Sequence, residues 1–400
     1  MTAAENWPQP PRPALHTGLL GEIVSTVEPH TEADPAGLLV DLLVAFGNAV
    51  GPGPHFVADA ARHPARLFAV LVGDTAKARK GTARAVVRSF VTSADPEWAE
   101  NRNTNGLSTG EGLIAAVASG DDCRLFVHEP EFARVLRVSG RDGNTLSPVI
   151  REAWDTGDLT VLTRGDPLRA RGAHMSIIAH ITREELRARL TSTETTNGFA
   201  NRFLWTVVRR SKLLPSGGNL DDETTEELGQ KLRGVVSQAR RIGRMSRSEA
   251  AERLWDDMYR SLAADDPGGL LGSAVSRAEA HLLRLSVAFA LADTSAEIRV
   301  DHLEAAHGIW QYCRASAGLL FGDRSGDRHA DRLLGEVRRS GSKGLNRTEM
   351  LDLFHRNLTS HQVKALANSL VEKGHAEWVE GTSTGGRPAR YLRSRYERTN

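Results

Sequence analysis

Residues 67–90 constrain the fold of this chain more than any other segment. An apolar run ends abruptly at Gly73, a loop rich in basic residues follows as far as Thr82, and a stretch able to form a helix comes next. A strand, a glycine-bearing loop and a helix in this order are typical of a phosphate cradle, because backbone N–H groups at the start of the helix point at the anion. The segment therefore predicts an α/β fold that binds a nucleoside triphosphate.

The spacing of this loop departs from the usual pattern G-x-x-x-x-G-K-[ST]. Ala78 stands in the place of the second glycine, and Arg79 stands in the place of the lysine. The sequence leaves open which of Lys77, Arg79 and Lys80 contacts the phosphates, and a solvated basic turn is the alternative interpretation. The residues expected to contact the nucleotide are Gly73, Asp74, Thr75, Lys77, Arg79, Lys80, Gly81 and Thr82. The hydroxyl of Thr82 is also expected to bind Mg²⁺.

Composition describes a globular chain with a sizeable core, since 40% of its 400 residues are apolar and 25% are charged. The net charge is only +1, but residues 331–400 carry 13 Lys and Arg against 8 Asp and Glu, which predicts a basic terminal module. Cys123 and Cys313 lack the spacing of a disulfide framework or a zinc site. Neither a signal peptide nor a membrane-spanning run is evident, so we expect a cytoplasmic protein with no membrane partner.

Short apolar runs alternate with helical stretches between residues 54 and 208. This alternation predicts a mostly parallel sheet covered on both faces, with ligands at the carboxyl ends of its strands. The predicted strands are 55–58, 67–72, 123–128, 159–162, 175–180 and 204–208. The predicted domains are a flexible tail (1–16), an α/β core with N-terminal helices (17–215), a helical domain (216–325) and the terminal module (328–396).

Two acidic positions match the needs of nucleotide hydrolysis, namely an acid for Mg²⁺ and a base for the attacking water. An apolar run ends in Glu129, with Glu131 close behind it, so Glu129 is expected to bind Mg²⁺. Ordinary surface acids are the alternative. Glu111 lies between two glycines where a polar loop opens a helix, which suits a catalytic base, whereas capping of that helix by Thr109 or Glu111 is the other interpretation.

His180 and Arg202 are the remaining candidates for catalysis. His180 ends a buried apolar run and could sense the γ-phosphate, although histidines at strand ends are often ordinary rim residues. Arg202 precedes another apolar run and could reach the phosphate of a neighbouring subunit as an arginine finger, or else pair with a local carboxylate.

The terminal module predicts a winged helix-turn-helix, because three helical stretches (329–339, 347–354 and 360–373) precede an apolar strand and a hairpin tip rich in glycine. Such a module binds DNA, and protein contacts or the capping of a domain are the alternatives. The residues expected to face the major groove are Ser360, His361, Lys364 and Asn368. Arg387 and Arg390 on the wing are expected to contact phosphate.

Six segments in this order resemble the RecA-like P-loop ATPases of the RepA-helicase type, which occur in bacterial chromosomes, plasmids, prophages and other mobile elements. They are VGDTAKARKGT, GLSTGEGLI, RLFVHEPEFARVLRV, GNTLSPVIREAWDTGDL, SIIAHITREEL and NGFANRFLW, and the resemblance covers about 35–325. It implies ATP hydrolysis with Mg²⁺ by a homo-oligomeric ring, such as a hexamer. It also implies that Gly73, Lys80 and Thr82 form the phosphate loop, Glu111 is the catalytic glutamate, Glu129 the Walker B acid, His180 the sensor and Arg202 the finger.

The function expected from these features is a DNA-dependent ATPase or helicase for the replication of a mobile element or phage. A DNA-binding regulator that uses ATP to control its oligomerisation is one alternative, and a phage-defence ATPase is another. A motor needs basic or aromatic loops that face a central pore, for which 141–144 and 164–171 are the candidates.

Overall fold

The computed structural model describes residues 7–162, 167–322, 328–355, 357–372, 375–380 and 389–395. The chain forms two compact units. The larger unit is built from Trp7–Asp266 and Ala274–Leu320. The smaller unit contains Pro267–Ser273 and the residues from Phe321 onward.

A parallel sheet of five strands lies at the centre of the larger unit, in the order β4-β5-β8-β3-β9. Its strands are β3 (Phe68–Gly73), β4 (Asn103–Thr104), β5 (Arg124–Glu129), β8 (His174–Thr182) and β9 (Leu204–Val207). Every residue of β3 and β9 is buried, as is typical of parallel strands that helices cover on both faces. The predicted α/β fold with a mostly parallel sheet is confirmed.

Two of the predicted strands lie outside this sheet. The run at 55–58 forms an antiparallel hairpin with the chain that follows it, and the run at 159–162 forms another such pair. Both are partly exposed, unlike the central strands. These pairs and a third, parallel one are β1 (His55–Ala58) with β2 (Ala61–Pro64), β6 (Leu159–Val161) with β7 (Leu168–Ala170), and β10 (Ser246–Arg247) with β11 (Glu297–Ile298).

Helices surround the sheet, and one of them forms within the first sixteen residues, where a flexible tail is expected. The helices between residues 12 and 321 are α1 (Arg12–Leu15), α2 (Gly18–Val27), α3 (Pro35–Val50), α4 (Lys80–Ala94), α5 (Pro96–Asn101), α6 (Gly110–Ala118), α7 (Phe132–Ser139), α8 (Leu146–Asp155), α9 (Arg183–Arg189), α10 (Ser192–Thr196), α11 (Asp222–Ala239), α12 (Glu249–Ala264), α13 (Gly269–Val275), α14 (Ala278–Ala292) and α15 (Val300–Phe321).

Helix α3 lies against the sheet and begins as its sequence predicts. Asp34 caps it by accepting a hydrogen bond from the Ala36 amide, and Pro35 occupies the first turn, where its missing N–H costs nothing. Almost every residue of α3 is buried, since the helix contacts β3, β5, β8 and β9 on one side and α4 on another. Helix α3 therefore links α4 to the sheet, and α11 also packs against α4.

Asn48 of α3 fastens this helix to the sheet. Its buried amide group donates to the carbonyl oxygens of Leu125 (3.2 Å) and His174 (2.8 Å), and its Oδ1 accepts from Trp98 Nε1 (2.9 Å). We expect Asn48→Ala to lower the free energy of unfolding by about 3 kcal/mol, because three buried polar groups lose their partner. Urea denaturation of the full chain measures the change.

The matched control for that experiment is Asn103→Ala. Asn103 also donates to two backbone oxygens, those of Trp98 and Ala99, but it is only half-buried, so water can replace the lost bonds. A loss of about 0.5 kcal/mol is expected there. Equal losses in the two variants would contradict the role assigned to Asn48.

In the described C-terminal residues of the smaller unit there are three α-helices and one antiparallel pair of strands. They are α16 (Arg328–Arg339), α17 (Arg347–Leu353), α18 (Ser360–Glu372), β12 (Ala376–Glu380) and β13 (Arg390–Ser394). Their buried core comprises Ala330, Leu333, Leu334, Val337, Leu345, Met350, Phe354, Val363, Ala367, Leu370, Ala376 and Leu392. The hairpin tip, with the predicted DNA contact Arg387, lies outside the described residues. Across the described ranges, no helix has the length and apolar character needed to span a membrane.

Candidate functional site

The loop between β3 and α4 lies at the carboxyl edge of the sheet and folds tightly over Gly73. A Cβ atom at Gly73 would collide with the Cβ of Ala78 and lie 3.0 Å from Lys80 Nζ, so only glycine fits there. Thr75 holds the turn together, because its hydroxyl accepts from the Lys77 amide (3.1 Å) and its carbonyl from the Ala78 amide (3.1 Å). The loop is a compact turn that ends where α4 begins.

The three cations that the sequence leaves as candidates differ in their contacts and exposure. Arg79 Nε lies 2.6 Å from the carboxylate of Glu32, and Lys77 is exposed. Lys80 instead extends back over the loop, where its Nζ donates to the carbonyl of Thr75 at 3.4 Å. Lys80 is therefore the cation that the fold places above the loop between β3 and α4.

The environment of Lys80 is partly desolvated and partly acidic. Burial lowers the pKa of Lys80, and the carboxylates of Glu185, Asp74 and Glu131 oppose that change. Asp74 pairs with Arg183 (Nε to Oδ1, 3.1 Å), and Glu185 forms a capping box with Thr182 at the start of α9. Glu131 is exposed and precedes α7 without capping it.

The N-terminus of α4 can receive an anion. No side chain of the described residues caps it, and its first turn carries no acidic residue. Gly81 and Thr82 are exposed in that turn, next to Lys80. Because the first N–H groups of a helix have no partner within the helix, they attract anions, and the positive end of the helix dipole adds to this attraction.

Glu129 ends β5, but its carboxylate faces the loop before α6 rather than Lys80. Its Oε1 accepts from the Leu107 amide at 2.6 Å, and strand β8 separates β5 from β3. Glu129 is 2% exposed, and burial raises its pKa, while the amides of Leu107 and Gly106 oppose the rise. Glu129 thus holds the segment that leads to Glu111.

Glu111 lies in the first turn of α6 and is half-buried. Its Oε2 accepts from the hydroxyl of Thr145 at 3.0 Å. The cap of α6 is Thr109, whose hydroxyl accepts from the Gly112 amide at 3.0 Å. The carboxylate of Glu111 is therefore not needed to cap the helix.

His180 lies near the end of β8, next to β3, and forms a pair with a residue that the sequence reasoning missed. The rings of His128 and His180 are 5.0 Å apart, at 71° to each other. The Nε2 atoms of both are buried, and neither has a hydrogen-bond partner among the described residues. Side chains alternate along β5, so His128 and Glu129 lie on opposite faces of the sheet. This alternation is the sequence signal that could have identified His128.

Arg202 is engaged within its own chain. Its guanidinium pairs with Asp155, donates to the carbonyl of Gly198, and lies 6.0 Å from the ring centre of Trp154. The side chain is 7% exposed. A local carboxylate, one of the two alternatives in the sequence, is its partner in this structure.

Two other groupings lie away from the loop. The carboxylates of Asp293 and Asp301 and the imidazole of His302 lie close enough to share a metal ion, but Arg299 donates to both acids, at 3.0 and 3.2 Å. A cavity of about 1240 Å³ has Arg247 in its wall, with the guanidinium already 4.2 Å from each of two ring centres. In both places an arginine side chain of the protein already lies where a bound cation would lie.

The residues predicted to contact DNA differ in their availability. His361 and Lys364 are exposed on α18, whereas Ser360 accepts from Arg347 Nε (2.9 Å) and Asn368 accepts from Trp378 Nε1 (3.1 Å). The guanidinium of Arg390 lies 5.4 Å from the ring centre of Trp378. Of the two predicted pore loops, 141–144 is described, and residues 164–166 of the other lie outside the described residues.

No model of a known protein family matches this chain, and no curated protein sequence matches it.

Proposed function

We propose that this protein is an ATP-hydrolysing, DNA-dependent motor with a RecA-like core of the RepA-helicase type, which acts in the replication of a mobile element or phage. The observation that carries the proposal is the position of Lys80. Its ammonium group lies over Gly73, beside the uncapped N-terminus of α4 and at the carboxyl edge of a parallel sheet. A mobile positive charge next to free helix N–H groups suits the β- and γ-phosphates of ATP.

The residues near Lys80 fit a magnesium ion. Mg²⁺ prefers oxygen ligands and keeps several waters, so one hydroxyl and one accessible carboxylate are enough protein ligands. Thr82 and Glu131 are exposed and would supply them, whereas the carboxylate of Glu129 already accepts amide hydrogen bonds. When bound, the ion would neutralise charge on the phosphate oxygens.

In this proposal Glu111 is the base that orients the attacking water. Thr145 fixes its carboxylate, and Glu129 fixes the preceding loop through the amide of Leu107. A base that neighbouring side chains hold in place loses little entropy when water binds. Lys80 binds the phosphates, and Glu111 acts on the water.

In this proposal the protein also binds DNA and assembles into a ring. Three helices followed by an antiparallel hairpin support a winged helix-turn-helix, in which the exposed His361 and Lys364 would contact DNA. A homo-oligomeric ring, such as a hexamer, would bring the site of one subunit next to its neighbour. In that ring Arg202 would have to exchange Asp155 for a phosphate of the neighbour.

We expect Lys80→Ala to reduce steady-state ATP hydrolysis by about 10²–10³-fold, since one preorganised positive donor is removed from the phosphates. Lys77→Ala is the matched control, because Lys77 is an exposed lysine of the same loop. It should leave the rate close to that of the wild type. Equal rates in all three proteins would overturn the proposed ATPase.

Hydrolysis by the wild-type protein should be measured with and without single-stranded DNA. Stimulation by DNA supports the motor. A rate that DNA does not change, together with nucleotide-dependent oligomerisation, would favour the regulator that uses ATP as a switch.

A further inference from the structure

The imidazoles of His128 and His180 lie on the face of the sheet that α4 covers. His128 is in register with Ile178 of β8, and His180 is two residues further along that strand, so both side chains point to the same face. Phe126, two residues before His128, shares this face, and the guanidinium of Arg84 in α4 lies 4.4 Å from its ring centre. The two imidazoles thus lie beneath the helix whose N-terminus forms the phosphate cradle.

Each of the two imidazoles has a buried nitrogen atom that forms no hydrogen bond within the described residues. His180 is only 4% exposed, and the Nε2 atoms of His128 and His180 have no hydrogen-bond partner among the described residues. Buried polar atoms in folded proteins are nearly always paired, so each unpaired one calls for an explanation. Two such atoms in neighbouring rings, one of them in His180, on which the charge of Lys80 acts, point to a ligand.

The charges around the pair favour an anion over a metal cation. The positive charges that act on His128 are those of Arg84 and Arg88, and the positive charges that act on His180 are those of Lys80 and Arg84, all four of these contributions coming from α4. Burial and these cations lower the pKa of His128 to about 4 and that of His180 to about 3, so both rings are neutral at neutral pH. A neutral imidazole carries one N–H group, which can donate to an anionic oxygen.

We propose that His128 and His180 form a two-imidazole contact for the terminal phosphate of the nucleotide, and that this pair distinguishes a triphosphate from a diphosphate. The inference rests on the proposed nucleotide site and adds His128 to it. Glu129, the next residue, points to the opposite face and leaves this contact free. Lys80 and the helix N-terminus would hold the inner phosphates, which both nucleotides share.

The test is equilibrium binding of a non-hydrolysable ATP analogue and of ADP to the full chain. His128→Phe keeps a ring of similar size but removes both nitrogens, so we expect affinity for the analogue to fall about tenfold and affinity for ADP to stay unchanged. His128→Gln, whose amide nitrogen lies near the position of Nε2, should restore most of the lost affinity. A thermal melt of each variant shows whether it is folded.

His63→Phe is the matched control. His63 is also half-buried, has a buried nitrogen without a partner among the described residues, and has a pKa lowered to about 4 by burial, but it lies on β2. It should bind both nucleotides as the wild type does. Equal weakening of both nucleotides by His128→Phe, or no weakening, would overturn the inference while leaving the nucleotide site intact. A wild-type chain that binds neither nucleotide would instead overturn the proposed function.

Discussion

Asp41→Leu is expected to lower the free energy of unfolding by about 3–5 kcal/mol, because it leaves the charge of Arg84 buried without its partner. Arg84 Nη1 donates to Asp41 Oδ1 at 2.9 Å, and the side chains of Arg84 and Asp41 are only 9% and 0% exposed. Burial raises the pKa of Asp41, and the positive charge of Arg84 opposes that rise. Because both side chains are almost fully buried, solvent cannot readily replace either partner.

This ion pair also bears on the candidate site, since it joins α3 to the first turns of α4. Arg84 follows Lys80 by four residues, which is about one helical turn, so the two residues lie on the same face of α4. Loss of the pair should therefore loosen the start of α4, and nucleotide binding should weaken together with stability.

The measurement is urea denaturation of the single variant beside the double variant Asp41→Leu/Arg84→Met. Replacing both partners by apolar side chains of similar size removes the unpaired charge, so the double variant should recover most of the lost stability. If the double variant is less stable than Asp41→Leu alone, the pair does not act through a buried charge.

The central strands could be predicted from the sequence because burial on both faces leaves a continuous apolar run. The runs at 67–72, 123–128, 175–180 and 204–208 all became strands of the parallel sheet. Strand β4 was missed, since Asn103 and Thr104 are two polar residues without a pattern. The runs at 55–58 and 159–162 looked similar in sequence but pair with their own neighbours, because pairing depends on partners that local composition does not reveal.

The candidate site could be predicted only in part, because the partners of its side chains are distant in the sequence. The position of the loop between β3 and α4 follows from local sequence, but which of its cations lies over Gly73 does not. Glu32, which lies 47 residues before Arg79 in the chain, draws Arg79 away and leaves Lys80 over the loop. Likewise, alternation along β5 predicts that His128 and Glu129 face opposite ways, but only the fold shows that α4 covers the side of His128.

Glu111→Gln is expected to lower the rate of ATP hydrolysis by about 10²–10⁴-fold, the usual contribution of a general base. The amide has nearly the shape of the carboxylate but cannot take a proton. Because Thr109 already caps α6, and the Gln side chain can still accept from Thr145, the helix should keep its structure. Affinity for ATP should therefore remain close to that of the wild type, in contrast to Lys80→Ala.

The matched control for Glu111→Gln is Glu184→Gln, which removes an exposed acid from the first turn of another helix, α9. It should hydrolyse ATP at the wild-type rate. Single-turnover hydrolysis and equilibrium binding, measured on the same samples, separate chemistry from affinity. A Glu111→Gln protein that loses binding as well as hydrolysis would show that this carboxylate supports the loop rather than acting on water. The base would then have to be another acid, and Glu131, an exposed carboxylate whose charge acts on Lys80, would be the next to replace.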